Sequence, residues 1–138
     1  MSKVHSRAIE VRAARRGLHE ITDKVEAVVA GSGVEEGLCN IFIQHTSASL
    51  VINENADPTA RRDLEEFLNR LVPENMPWYR HTAEGPDDMP SHIKSILTNV
   101  SITVPVMGRK LGLGSWQGIY LWEHRDHASS RKVLVSVL

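Results

Sequence analysis

Among its 138 residues the chain has a single cysteine, Cys39. That excludes a disulfide framework and any zinc cluster built from thiolates. No apolar run approaches membrane-spanning length, and the first twenty residues contain no hydrophobic signal-peptide core. Charge of one sign is also missing: 16 lysines and arginines face 17 aspartates and glutamates, a net charge of −1. No basic excess marks a nucleic-acid partner, and no basic amphipathic helix marks a membrane surface. A local phosphate pocket stays open. These absences predict a reduced, cytoplasmic protein with neither nucleic acid nor membrane as partner.

What is present is an ordinary globular mixture, 41% hydrophobic and 24% charged, of a length that suits one domain spanning 1–138. The compositional oddity is seven histidines beside only two tyrosines and two phenylalanines.

Along the chain, KVHSRAIEVR (3–12) has the alternation of a strand, and GLHEI forms a second after the basic turn AARRG. TDKVEAVVAG is predicted helical, with Thr22 or Asp23 as cap, Glu26 in capping-box position and GSG as its exit. LCNIFIQH (38–45) is a nearly continuous apolar run, expected to be covered on both faces, with SASLVINE (47–54) as its neighbour. Asp57 and Pro58 start a helix whose stripe of Ala60, Leu64, Phe67, Leu68 and Leu71 predicts its core face. Pro73 ends it.

PENMPWYRHTAEGPDDMP has the length and polarity of a functional loop. A short helix follows, with Pro90 in its first turn and Ile93, Ile96 and Leu97 on its apolar side. VSITVPV, SWQGIYLWE and RKVLVSVL close the chain as strands, the first two joined by the loop MGRKLGLG. The order ββα ββα βββ argues for an α+β domain.

Several catalytic motifs fail. AGSGVEEG follows a helix instead of a strand, GRKLGLGS lacks Walker spacing, and no GxSxG elbow exists. Cys39, inside an apolar strand, is assigned to packing.

Three histidines stand apart. His45 ends the strand IFIQH, His81 lies in the YRH loop, and His92 lies at the margin of the short helix's apolar stripe. Each alone has a structural reading, as a core, exposed or helix-margin residue. Together they offer imidazole nitrogens suited to a zinc-like ion with an open position, although spacings of 36 and 11 residues match no local zinc motif. Of Asp87 and Asp88, one is expected to cap the short helix and the other to orient a ligand imidazole. Lys94 projects from the opposite flank of that helix, as a solvated lysine or as an anion contact. On the strand SWQGIYLWEHR, Ser115, Gln117, Ile119, Leu121 and Glu123 share one side and Arg125 follows, while Trp116, Tyr120 and Trp122 take the other as core or subunit contact. Glu123 and Arg125 either pair with each other or serve as a carboxylate near the metal and a clamp for phosphate.

QHTSASL, NENADPTARRDLEEF, EGPDDMPSHIKS, GSWQGIYLWEHR and the SR that follows resemble, in order, the YjbQ family, also described as secondary thiamine-phosphate synthases. The resemblance runs from about residue 3 to the C-terminus. It implies an α+β domain whose β-sandwich assembles into a homotrimer, with a polar cleft near or between subunits able to hold a divalent metal, zinc-like first and magnesium second. Carried over by motif, His45, His81 and His92 are the metal ligands, with Glu123 and Arg125 as their neighbours; Asp88 and Lys94 join Glu123 and Arg125 as the catalytic candidates. The implied activity takes small phosphorylated substrates, joining a pyrimidine pyrophosphate to a thiazole phosphate. A metal-dependent hydrolase of another phosphorylated or carbonyl substrate, and a non-enzymatic trimeric binding protein, are the rival readings.

Overall fold

The alternating residues at the start of the chain form β1 (His5–Ala13), which pairs antiparallel with the last strand, β8 (Ser129–Val137), setting Ile9 opposite Val133. The computed structural model describes residues 4–127 and 129–138. After β1 come β2 (Gly17–Glu20), α1 (Thr22–Ser32), β3 (Glu36–Ile43), β4 (Ala48–Glu54), α2 (Pro58–Leu71), α3 (Asp88–Leu97), β5 (Ser101–Met107), β6 (Lys110–Leu111) and β7 (Gln117–Glu123). One antiparallel sheet has the order β1-β8-β3-β5-β6 and a second the order β2-β7-β4. The expected α+β order holds, with a two-residue strand added where the glycine-rich loop turns β5 back on itself as a hairpin.

The two sheets share one core. Val11, Ile41, Val104, Val133 and Val135 from the larger sheet meet Leu50, Ile119 and Leu121 from the smaller, and α1 supplies Val25, Val28 and Val29. Cys39 is buried here, as its apolar strand predicts, and burial pushes its thiol up to about 11, leaving it inert. On the far side of the smaller sheet, Leu18, Tyr120 and Trp122 pack with Leu68 and Val72 of α2 and its exit, so helices form a third layer.

Several local expectations are corrected. α1 ends at Gly33 in a left-handed conformation (φ +74°) as expected, but neither Thr22 nor Asp23 is its N-cap. The N-cap is Ile21; Thr22 Oγ1 instead accepts from the Ile119 N–H, and the Glu26 carboxylate accepts from Leu111 N–H. β3 is covered on one face only: Cys39, Ile41 and Ile43 point inward, while Leu38 and Phe42 are exposed. In α2, Asp57 caps as predicted, accepting from Thr59 N–H at 2.9 Å, yet Phe67 and Leu71 at the edges of the stripe are exposed. Trp116 precedes β7 and is exposed, whereas Tyr120 and Trp122 are core.

The largest correction concerns α3, which is turned inside out relative to its hydrophobic pattern. It buries Asp88, Pro90, Ser91, Lys94 and Ser95, leaving Ile96 81% and Leu97 55% exposed and only Ile93 half-buried against the outer cluster. Full burial of an isoleucine or leucine is worth about 1.5–3 kcal/mol, and burying a lysine costs free energy. The orientation therefore follows from what the polar residues bind.

Those polar partners lie where the chain passes between sheets. His45–Ser47 carries it from β3 to β4, and residues 124–127 lead out of β7 on the way to β8. The two crossings are tied together, because Ser47 O accepts from His124 N–H and from the Arg131 guanidinium, both at 3.3 Å. α3 lies over this end of the sandwich.

Candidate metal centre

Asp88 and His92 are four residues apart on α3, a spacing that stacks side chains on one helix face. His81 comes from the preceding loop, which turns back through Gly85, where φ is +106°. The three converge. Asp88 Oδ2 lies 2.7 Å from His81 Nε2 and 3.0 Å from His92 Nε2, and the three candidate ligand atoms all lie within 4.8 Å of one another.

Two of the three ligands, His92 and Asp88, are held from behind. His92 Nδ1 sits 3.0 Å from Thr46 O, an atom that only accepts, so Nδ1 carries a proton and Nε2 faces Asp88. The other Asp88 oxygen, Oδ1, accepts from Arg125. Burial works to raise the Asp88 carboxyl, but the His81 hydrogen bond and the charges of His92 and Arg125 outweigh it, holding it below the usual carboxylate range. Two imidazoles and one carboxylate with oriented outer partners form a donor set that fits zinc or a similar first-row ion; magnesium prefers oxygen ligands.

Asp87 is at the N-cap position of α3 but makes no side-chain cap. The expected aspartate cap is absent: Asp87 Oδ2 instead accepts from Arg125 Nε at 3.0 Å and from Asp126 N–H at 2.9 Å. With its remaining nitrogen donating to Glu84 O at 2.9 Å, the Arg125 guanidinium is committed on all three sides. It orients Asp88, and it pairs with Asp87 and Asp88, not with the Glu123 side chain.

Glu123 is fully buried and faces Arg131, which donates to both its oxygens at 2.7 and 2.5 Å. Arg131 in turn approaches His45 Nδ1 at 3.3 Å. His45 Nε2 accepts from the Lys132 backbone N–H at 2.9 Å, replacing the strand acceptor that β3 no longer offers beyond Ile43. Burial and the neighbouring Arg131 lower the His45 value, disfavouring the charged ring. His45 lines the same cleft as His81 and His92, but its nitrogens are engaged with β8 and it is not among the converging ligand atoms.

Lys94 is neither solvated nor in the cleft. It is 1% exposed and donates to Asn69 Oδ1 of α2 at 2.7 Å. Burial, then repulsion from Arg16, push its ammonium down to about 8. Behind it, Ser49 Oγ lies 2.8 Å from His124 Nε2 and 2.6 Å from Thr98 Oγ1. Burial, then Lys94, push His124 down to about 3.

Asn69, His124 and Arg131 were not singled out by sequence reasoning. Arg131 had a legible signal: in RKVLVSV it falls in register with the inward valines 133, 135 and 137, so its guanidinium had to meet a buried partner.

The family profile described as UPF0047 protein YjbQ-like matches residues 7–138. The chain belongs to this YjbQ-like family. The UPF0047 protein sll1880 of Synechocystis sp. is 49% identical over 133 residues, covering 96% of this chain and 90% of the relative. The UPF0047 protein YjbQ of Salmonella typhimurium is 46% identical, covering 96% of each chain. Among solved structures, a YbjQ-like protein from Sulfolobus solfataricus superposes with a TM-score of 0.89 at 29% identity, covering 98% of this chain and 96% of that one. A YjbQ/UPF0047 family protein from Clostridium acetobutylicum gives 0.87 at 36% identity, covering 95% and 98%. The YjbQ-like fold is thus a small α+β domain of three helices and antiparallel sheets.

Proposed function

We propose that the chain is a metal-dependent enzyme acting on a small molecule, with His81, Asp88 and His92 holding one divalent cation, zinc in preference to magnesium. The observation that carries this reading is the placement of one carboxylate oxygen between two imidazole nitrogens, one of them on a ring whose orientation is fixed by Thr46 O. A carboxylate oxygen within 3.0 Å of two imidazole nitrogens calls for a positive species shared among them; a proton serves one nitrogen at a time, whereas a metal ion meets both histidines at once.

When bound, the cation would supply Lewis acidity and an activated water. The chain's own residues orient it: Thr46 O fixes the His92 ring and Arg125 fixes Asp88. The cleft beside the cluster has a volume of about 480 Å³, within the usual range for small-molecule sites. Hydrolysis of a carbonyl substrate is the reaction class these groups serve best.

The thiamine-phosphate-forming reaction implied by the family resemblance is a side activity on this reading. Stabilising a departing pyrophosphate calls for free cations, and both chain candidates, Lys94 and Arg125, are committed to Asn69 and to Asp87, Asp88 and Glu84. The exposed Phe67, Leu71, Trp78 and Leu97 support assembly as a homotrimer in which another subunit covers them. No helix among the described residues is long and apolar enough to cross a membrane, and the reduced Cys39 suits a cytoplasmic location.

Calorimetric titration with zinc, alone and with His92→Gln, tests the centre. Tight one-to-one binding lost in the variant is expected; no binding, or binding unchanged in the variant, rejects it. Growth rescue of a thiamine-phosphate-requiring strain tests the side activity, with rescue only at high expression expected and none at all rejecting it.

A further inference from the structure

The cleft beside the cluster has walls that bear on its substrate. Met89, Ile96 and Val100 supply its apolar surface, and Ser95 lies among them. Past His45 and Thr46 it adjoins a second concavity of about 510 Å³, which adds Phe42, Gln44 and Ser47. Neither concavity is lined by a lysine, arginine, aspartate or glutamate among the described residues. Of the cations nearby, Lys94 faces α2, Arg125 is engaged on three sides, Arg131 is buried against Glu123, and Lys132, whose charge reaches His45, is outside both linings. Ser95 Oγ, buried and without a hydrogen-bond partner among the described residues, is a neutral polar atom set in this wall.

We infer that this cleft takes an uncharged ligand, with an apolar body seated on Met89, Ile96 and Val100 and a carbonyl-type oxygen presented to the His81–Asp88–His92 centre, and that it is not built for a phosphate or pyrophosphate group. This rests on the metal-centre reading above. An anionic group seated on those walls, beyond the reach of the cation, would lose water with no counter-charge from them, whereas an alkyl chain gains affinity with each methylene removed from water. A dianion calls for charge-assisted donors, and the linings of the two concavities supply none.

Three ligands with one metal-binding head separate these cases: acetohydroxamate, hexanohydroxamate and phosphonoacetohydroxamate, each titrated calorimetrically into the zinc-loaded full chain. Hexanohydroxamate is expected to bind at least about tenfold tighter than acetohydroxamate, and phosphonoacetohydroxamate no tighter than acetohydroxamate. Val100→Glu is expected to abolish the gain from the longer chain while zinc affinity stays within about threefold of wild type. Ile96→Glu, at the most exposed position of the wall, is the second variant and carries the same expectation if Val100→Glu does not fold. Equal binding of the two neutral hydroxamates, tighter binding of the phosphonate, or no hydroxamate binding at all overturns the inference. Each of those results leaves the centre standing, because zinc binding is measured first and separately; failure to bind zinc falls on the centre itself.

Discussion

His92 Nδ1 lies 3.0 Å from the carbonyl oxygen of Thr46, in the crossing between the two sheets. That contact fixes the ring so that Nε2 points at Asp88, and it links a helix to the sandwich edge exactly where the fold changes sheets. Loss of His92 should therefore remove a ligand without removing the helix, which has other anchors. His92→Gln is expected to weaken zinc binding by at least about 100-fold, beyond the range for loss of an outer-shell partner. Unfolding followed by circular dichroism should show little change, since His92 is partly exposed.

Arg125 acts through Asp88. Arg125→Gln leaves all three metal ligands in place but frees the Asp88 carboxylate to rotate, and a weakening of about 10–100-fold in zinc affinity is expected. Unchanged affinity would remove Arg125 from the positioning role.

Lys94 faces away from the cleft, so Lys94→Met should bind zinc within about threefold of wild type. Because the folded-state value is depressed to about 8, the ammonium is held at a cost at neutral pH, and that cost is relieved only as pH rises past 8. Asn69 Oδ1 keeps Arg16 as a donor at 3.5 Å. Thermal unfolding at pH 7 should therefore show Lys94→Met to be no less stable than wild type. A tenfold loss of zinc affinity would instead assign Lys94 to the centre.

His124 sets an acid sensitivity. Burial holds it at about 3 in the folded protein against 6.5 when free, so the unfolded chain binds the extra proton throughout that interval. Stability present in full above pH 6.5 is lost as pH falls towards 3, by about 1.4 kcal/mol per pH unit for this group. Urea unfolding at pH 7, 6, 5 and 4 should show that slope reduced in His124→Asn.

The exposed Leu97 and Leu71 test assembly. Sedimentation should give three times the 15.4 kDa chain mass, and Leu97→Glu should reduce it to that of a single chain. A single-chain mass for the wild type contradicts the trimer.

Much of the fold was legible because strand alternation and helix starts are local. Asp57–Pro58 at the start of α2 and the alternating inward valines of β8 are set by their own neighbours. α3 was not legible, because its apolar residues define a stripe that the tertiary structure leaves outside. The polar residues that turn it round find partners in the adjoining 79–85 loop and, far away in sequence, on α2 and in the 124–127 loop. The same reason separates the two halves of the histidine set. Asp88 and His92 share a helix face, a pairing visible in DMPSH, whereas His45 depends on where β8 presents the Lys132 N–H. His81 and His92 come together at a ring separation of 5.3 Å only because the intervening loop folds back.

The most direct measurement is a crystal structure of the zinc-loaded protein with anomalous data collected on both sides of the zinc edge. One zinc per chain, bonded to His81 Nε2, His92 Nε2 and an Asp88 oxygen at about 2.0–2.2 Å, is the expected result. A zinc bound elsewhere, or no zinc at the cluster with the Asp88 contacts to His81 and His92 unchanged, contradicts the metal centre.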